Sequence, residues 1–355
     1  MSKPSLYETI ANELKARILA GDYEAHEKLP TEKELTQQYG VSRITSKRAL
    51  TELEQEGLAY RVQGRGTFVS PPASGSESSP LLEKNILFIS PFPDNPEVGN
   101  YVQGILDCLQ EHGCRLHIQS NGFLDLSDAS SLMADYAGII LYPASSTAHA
   151  SILYQLYLTG FPVVILDKHL EGVPFQAVTS DDFQGGFLAA QHLLQQGHRR
   201  LGFLASYGVE GSSSIRHRYF GFLKGIHQEE DQGSGTLLKG RGMDEAEDIF
   251  YGRCLEQIRL EHITALVMEN DITAIHFMKF LRKQNCRVPQ DLALVGFDNL
   301  QASSLVEPAL TTIAQDFVQI GFLAAASLLE LLHQSSSKDS LTVPVKLIIR
   351  ESSLG

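Results

Sequence analysis

Residues 29–69 read LPTEKELTQQYGVSRITSKRALTELEQEGLAYRVQGRGTFV, and start and stop signals recur along the whole stretch. Thr31-Glu32-Lys33-Glu34 has the form of a capping box, in which a hydroxyl and a carboxylate satisfy free amides, and it predicts a helix reaching about Tyr39. Gly40 permits a tight turn, and Ser42 is placed to cap the next helix. In that helix Ser46, Ala49, Leu50 and Leu53 share one face at i, i+3, i+4, i+7, leaving Arg43, Thr45 and Lys47 to project outward. Upstream, Leu6, Ile10, Leu14 and Ile18 recur every four residues and predict a further helix with one apolar face, ended by Gly21. Downstream, two short β-prone runs joined by Gln63-Gly64-Arg65-Gly66 predict a hairpin. Two short helices about a four-residue turn, the second opening with Arg, Thr and Lys, form a helix-turn-helix whose second helix fits a major groove. The hairpin is then a wing with Arg65 at its tip, placed for a minor groove or a phosphate.

Charge at first argues the other way. The 355 residues carry 29 Lys plus Arg against 42 Asp plus Glu, a formal net charge of −13, whereas phosphate binding needs cations. Counted by block, however, residues 1–70 hold ten basic and ten acidic side chains, and the remaining 285 hold 19 against 32. The acidity belongs to the second block, and Arg43, Lys47, Arg48, Arg61 and Arg65 crowd into 23 residues of the first. Residues 71–84, PPASGSESSPLLEK, have the composition of a linker, giving domains over 1–70 and 85–355. No basic-then-apolar leader opens the sequence and no apolar run nears the roughly 20 residues of a membrane helix, so a cytoplasmic protein with no membrane partner is expected. Cys108, Cys114, Cys254 and Cys286 form no C-x-x-C pair and read as reduced thiols. His112/His117 and His192/His198 lack companions at metal spacing, so neither metal nor cofactor is expected.

The second block alternates short apolar runs (86–90, 115–119, 138–142, 162–166, 176–180, 200–205, 265–268, 292–297) with helix-like segments near 98–112, 148–159, 183–196, 215–228, 244–259 and 271–284. This is the pattern of an α/β fold with parallel sheets, in which ligands bind beyond the carboxyl ends of strands. Polar residues stand at those ends: Ser90, Asp167, Asp181, Asn270-Asp271 and Asp298. Carboxylates and amides converging with a cation suit a polyhydroxylated ligand, because each hydroxyl both donates and accepts. Arg216 is the expected cation, with Phe92 or Tyr207 as stacking candidates. Residues 232–242, QGSGTLLKGRG, lack the ending of a phosphate loop and are expected to form a surface loop.

Residues 5–70 resemble the winged helix-turn-helix of the GntR family of bacterial transcription regulators. By position the resemblance implies DNA contacts from Lys33, Arg43, Thr45, Lys47, Gln63, Gly64 and Arg65; Ser46 stands where that family usually has an apolar residue. Across 85–355, the stretches GFPVVILDKHLEG, VTSDDFQGGFLAAQHLLQQGHRRLGFL, RVPQDLALVGFDN and PALTTIAQDF resemble the effector domain of the LacI family, a two-lobed fold like that of periplasmic sugar-binding proteins. That resemblance implies effector contacts from Asp167, Arg216, Asn270, Asp298 and Gln315, with weaker cases for Ser90, Lys168, Asp182 and Asp271. Lys168 replaces a frequent Arg, and Glu269 replaces a small residue. The pairing of the two modules resembles the arabinose-responsive repressors.

The expected function is therefore a repressor of carbohydrate-utilisation genes, homodimeric on operator DNA and controlled by a small sugar-like effector bound between lobes at about 85–181 and 182–313. An effector-independent DNA-binding regulator is one alternative. A sugar-acting enzyme is the other, but Asp181 and Asp182 are adjacent, so on an extended strand their side chains point apart and cannot flank one bond. No G-x-S-x-G, H-E-x-x-H or Walker loop is present, and no catalytic residue is expected.

Overall fold

The computed structural model describes residues 6–19, 22–23, 27–55, 58–62, 66–69, 85–91, 100–228, 233–333 and 339–354. The expected wing tip at Gln63, Gly64 and Arg65, the linker 71–84, the helix stop at Gly21 and Phe92 lie outside these residues. The chain divides into two compact units, Met1–Leu81 and Leu82–Gly355.

In the first unit α1 (Leu6–Leu19), α2 (Glu32–Tyr39) and α3 (Arg43–Gln55) precede the antiparallel pair β1 (Ala59–Val62) and β2 (Gly66–Val69). Both halves of the capping box form: Glu34 N–H donates to Thr31 Oγ1 and Thr31 N–H donates to Glu34 Oε2 at 2.7 Å. Gly40 ends α2 at φ 63°, a conformation that costs an L side chain roughly 1 kcal/mol. Ser42 Oγ accepts from Thr45 N–H and caps α3. Ile10, Leu14, Leu35, Ala49, Leu50 and Leu53 are buried together. Leu6 departs from the expected apolar face: as the first residue of α1 it has no neighbouring turn to pack against and is 67% exposed. Ser46 is fully buried, yet its hydroxyl lies 3.0 Å from Thr36 Oγ1, so a hydroxyl pair fills the place of a methyl. Backbone bonds Leu29 N to Thr67 O and Val69 N to Glu27 O add residues 27–29 to the hairpin's edge.

The second unit has two lobes. The first contains β3 (Asn85–Ser90), α4 (Tyr101–Gln110), β4 (Arg115–Ser120), α5 (Gly122–Asp125), α6 (Ala129–Asp135), β5 (Gly138–Leu141), α7 (Ala150–Leu158), β6 (Val163–Leu166) and β7 (Gln176–Ser180). The second contains α8 (Asp182–Gln195), β8 (Arg200–Leu204), α9 (Ser213–Ile226), β9 (Ser234–Leu237), α10 (Glu247–Leu260), β10 (Ala265–Met268), α11 (Asp271–Lys283), β11 (Ala293–Asp298), α12 (Gln301–Leu305) and β12 (Thr311–Ala314). The chain then returns to the first lobe as α13 (Phe317–His333) and β13 (Leu341–Val343), and ends in the second as β14 (Lys346–Ile348).

The sheets run β13-β7-β6-β5-β3-β4, all parallel, and β14-β12-β11-β10-β8-β9, parallel except for β14. Strand residues alternate between two cores, as the period of a strand buried on both faces requires. In the first lobe Ile86, Phe88, Ile140 and Val164 pack under α4 and α13, while Leu87, Ile89, Ile139 and Val163 pack under α6 and α7. Both sheets reverse strand order at their first strand, a topology that opens a crevice at the strands' carboxyl ends. Three crossovers join the lobes, at 180–182, 314–317 and 343–346, and are tied together by Asp181 N to Val343 O and by Ser180 Oγ to Gln315 Oε1.

The expected surface loop at 232–242 is corrected: residues 234–237 form β9, the edge strand paired with β8. Glycine at 235 suits this strand because a Cβ there would lie 2.6 Å from Ile226. Among the described residues, no helix is long and apolar enough to cross a membrane and no group of three His, Cys, Asp or Glu could hold a metal ion. All four cysteines are free thiols.

Candidate nucleic-acid interface and effector cleft

On the first unit Lys33, Arg43 and Lys47 are exposed and Thr45 is half-buried. Arg43 is 84% exposed at the side chain, and its Nε donates to Glu32 Oε2 at 2.9 Å. The bond holds the guanidinium stem while the terminal nitrogens face outward, an orientation suited to a guanine edge or a phosphate. Arg48 serves another purpose: it donates to Tyr7 Oη at 3.1 Å and stacks 3.9 Å from that ring, fastening α3 to α1. Ile44, which periodicity did not single out, is 81% exposed between Arg43 and Thr45 and offers apolar contact of the kind that reads a thymine methyl. Its signal in the sequence was an apolar residue off the core stripe of α3.

In the second unit the strand ends assemble a polar cleft. From the first lobe come Asp167 and Lys168, both buried, with Lys168 Nζ 2.8 Å from Asp167 Oδ2 and 4.2 Å from the Tyr142 ring centre. From the second come Asp182, Arg218 and Asp298. Arg218 Nε donates to Asp182 Oδ1 at 2.8 Å, one terminal nitrogen donates to Glu269 O at 2.6 Å and stands 3.7 Å from Asp298 Oδ1, and the guanidinium lies 3.7 Å from the Phe297 ring centre. Gln315, on a crossover, donates to Asp298 Oδ1 at 2.6 Å. Tyr101, packed edge-on between Tyr142 and Phe317, completes the wall.

Burial and charge set the protonation of these groups. Burial pushes Asp298 well above the usual carboxylate range, with Arg218 only partly opposing it, and raises Asp182 to about 6 against the pull of the same guanidinium. Burial alone would raise Asp167 too, but Lys168 and Arg218 outweigh it and hold the carboxyl low. Burial disfavours the Arg218 cation, and the carboxylates of Asp182, Asp298 and Asp167 more than compensate. Asp167 and Asp298 both sit at positive φ, 68° and 112°, a strain of about 1–3 kcal/mol each that concentrates at sites where geometry matters more than stability.

Not every expected residue reaches this cluster. Arg216, two positions before Arg218, faces the cleft mouth: its guanidinium donates to Glu210 O at 3.0 Å and stands 3.6 Å from Glu171 across the lobes, so the cationic fork within the cleft is Arg218. On α9 a step of two residues turns the side chain by about 200°, which is why one arginine enters and the other rims it. Asp271 is corrected as well. It is fully buried and accepts from Leu300 N and Thr312 Oγ1, fastening the turn after β11 instead of lining the cleft. Asn270 caps α11 through its Oδ1, accepting from Thr273 N–H, and Ser90 is buried at the end of β3. Tyr207 is 76% exposed in a loop, whereas the rings beside the cluster are Tyr142, against Lys168, and Tyr101, edge-on to Tyr142. Asp181, half-buried and capping α8 by accepting from Gln184 N–H, and Asp182, buried on Arg218, point to different surroundings.

Backbone and side chain already link the lobes at the mouth. Ser213 N–H donates to Ser146 Oγ at 3.2 Å, His169 N–H donates to Ser213 Oγ at 2.8 Å, and Ser214 Oγ donates to Asp167 Oδ2 at 3.4 Å.

Residues 6–69 match the family model described as bacterial regulatory proteins, gntR family, and residues 190–353 match that of the periplasmic binding protein-like domain. An arabinose metabolism transcriptional repressor of Geobacillus stearothermophilus is 31% identical over 341 residues, covering 93% of this chain and 92% of that protein. A repressor of the same name from Halalkalibacterium halodurans is 28% identical over 98% of this chain and 96% of its own length. Among solved structures, a LacI family transcriptional regulator from Enterococcus faecium with bound ribose superposes at a TM-score of 0.62 and 23% identity, over 76% of this chain and 98% of its own, a likeness of fold. The chain belongs to the family of bacterial DNA-binding transcriptional repressors in which a GntR-type winged helix-turn-helix is followed by a periplasmic-binding-protein-like effector domain.

Proposed function

We propose that this repressor is controlled by a small neutral sugar held between Asp167 and Lys168 of one lobe and Asp182, Arg218, Asp298 and Gln315 of the other, with arabinose the first candidate. The observation that carries the reading is Arg218, buried between two carboxylates at the carboxyl ends of parallel strands. With Asp298 held as the neutral acid, the carboxylates of Asp167 and Asp182 already balance Lys168 and Arg218, so no cation is left over for an added phosphate or acid group, whereas hydroxyls find acceptors and donors in turn. Tyr101 and Tyr142 offer apolar rings to the CH face of a sugar. The relatives named for arabinose metabolism support a pentose.

Closure of the lobes is the two-state element on which the effector acts, because contacts made on both sides of the cleft favour the closed state. In a homodimer with two readers on a two-fold operator, a coupling of roughly 1–3 kcal/mol changes operator affinity about 5- to 150-fold. On the reader, Lys33, Arg43, Thr45, Lys47 and the wing residues Gln63, Gly64 and Arg65 are the proposed contacts, with Ile44 added by its exposure. The protein carries out this role in the cytoplasm, without catalysis. Calorimetric titration with arabinose, ribose and xylose beside the phosphate of each sugar tests the reading. Binding of a neutral sugar alone is expected; binding of the phosphates alone overturns it.

A further inference from the structure

Each lobe contains one pair of helices that meet through glycine, and the two pairs obey the same rule. In the second lobe a Cβ on Gly186 of α8 would lie 1.8 Å from Arg218 O of α9, and one on Gly221 would lie 1.8 Å from Phe183 O. In the first lobe a Cβ on Gly321 of α13 would lie 2.1 Å from Tyr101 O of α4, and one on Gly104 would lie 1.8 Å from Val318 O. In all four contacts the carbonyl belongs to the residue three positions before the partner helix's own glycine. Arg218 and Tyr101 therefore occupy equivalent places in the two lobes, and both are cleft residues pinned from behind by a glycine.

We propose that Gly186 is a positioning residue for the cleft, setting through direct backbone contact the height at which Arg218 meets Asp182. The geometry supports this step by step. Asp182 opens α8 one turn before Gly186, so the separation of α8 from α9 at Gly186 also fixes the separation of the two charged side chains. At the present spacing Arg218 closes a 2.8 Å bond to Asp182 while reaching Glu269 O at 2.6 Å. Cβ contacts under 3.0 Å are essentially never found, so a methyl at 186 parts the helices by more than an ångström, enough to break one of these bonds. Gly225, one turn farther along α9, makes a milder contact, 2.9 Å from both Ala190 Cβ and Phe187 O. That the cleft is the effector site rests on the reading above; that Gly186 places Arg218 does not.

The test is a carbon-detected NMR titration of the Asp182 carboxyl in the full chain, without ligand. Wild-type Asp182 is expected to titrate near 6, held there by burial and Asp167 on one side and by Arg218 and Lys168 on the other. An opposite charge in contact lowers a carboxyl pKa by roughly 1–3 units, so Gly186→Ala is expected to move the midpoint up by about one unit. Gly104→Ala, an equal collision in the other lobe, is expected to leave it in place, separating the general cost of a crowded helix crossing from an effect on Arg218. An unchanged Asp182 midpoint in folded Gly186→Ala overturns the proposal. Should that variant not fold, Gly225→Ala carries the test, with a shift in the same direction of about a few tenths of a unit, as a weakened charge contact requires; no shift overturns the proposal equally. A parallel titration with arabinose should show binding weakened at least tenfold by Gly186→Ala. A wild-type protein that ignores arabinose counts against the effector assignment, and the carboxyl titration still decides the role of Gly186.

Discussion

Arg216 and Arg218 stand two residues apart on one helix and do opposite work: Arg218 is buried on Asp182 within the cleft, while Arg216 clasps Glu171 across its mouth. The distinction predicts different phenotypes. Arg218→Gln leaves the buried Asp182 without its cation, a class of change that costs about 3–5 kcal/mol, and sugar affinity is expected to fall at least a hundredfold by calorimetry. Arg216→Ala removes a contact with a 57% exposed Glu171 side chain, so the sugar should still bind, within about fivefold of wild type, as weak surface pairs dictate. Equal losses in the two variants would contradict this assignment.

Operator binding should depend on Arg43 and be separable from the sensor. Arg43→Ala removes a side chain that is 84% exposed, so the melting temperature and sugar affinity should not change. Loss of one base contact is worth about 1–3 kcal/mol, so a gel-shift titration should show operator affinity lowered by roughly 5- to 150-fold. Undiminished operator binding would remove Arg43 from the reading surface.

Asp271 predicts how stability follows pH. Burial raises its carboxyl to about 6, opposed by Thr312 and by the Leu300 amide. The folded state therefore holds a proton that the unfolded chain has released between about pH 4 and 6, and this group's contribution to stability is complete at the low end and lost as pH rises through 6. The effect amounts to at most about 3 kcal/mol, from a shift of about two units. Asp271→Asn should flatten the fall in melting temperature between about pH 4 and 6; an unchanged slope would assign the dependence to other carboxyls such as Asp182.

Ser46 offers a stability test in the reader. Thr36 Oγ1 keeps its 2.7 Å bond to Glu32 O when the Ser46 hydroxyl is gone, so Ser46→Ala should change unfolding free energy by less than about 1 kcal/mol. Urea denaturation of residues within the full chain, followed by probes in the reader, measures it; a larger loss would make the hydroxyl pair essential to the domain.

Most of the fold is legible in the sequence because its strands are β-branched runs of standard length separated by polar stripes, and the reader is legible because a capping box, a turn glycine and a helix cap occur in order. The missing pieces have physical reasons. α13 is apolar nearly all round, from Phe317 to Leu332, since it is covered by α4 on one side and by β5, β6 and β7 on another; a helix without a polar face gives no periodic signal. β12 is four residues with two threonines, and β9 is masked by glycines needed for packing against Ile226 and Phe222. Within the cleft, strand-end aspartates could be listed but not sorted: Asp271 and Asp298 look alike in sequence, and only the turn after β11 shows that one is consumed by Leu300 and Thr312. The choice between Arg216 and Arg218 needed the rotation of α9 about its axis, which the crossing with α8 determines.

The three crossovers also govern how the protein is made. The first lobe is not complete until α13 and β13, its last pieces, have left the ribosome, so its sheet waits through the synthesis of the entire second lobe with one face covered by α4 alone. The reader, by contrast, is assembled from contiguous residues at the start of the chain. A product that terminates beyond the reader but before Phe317 therefore carries an intact DNA reader and a sensor that can never close, so that premature termination there is expected to yield an effector-blind protein prone to aggregation.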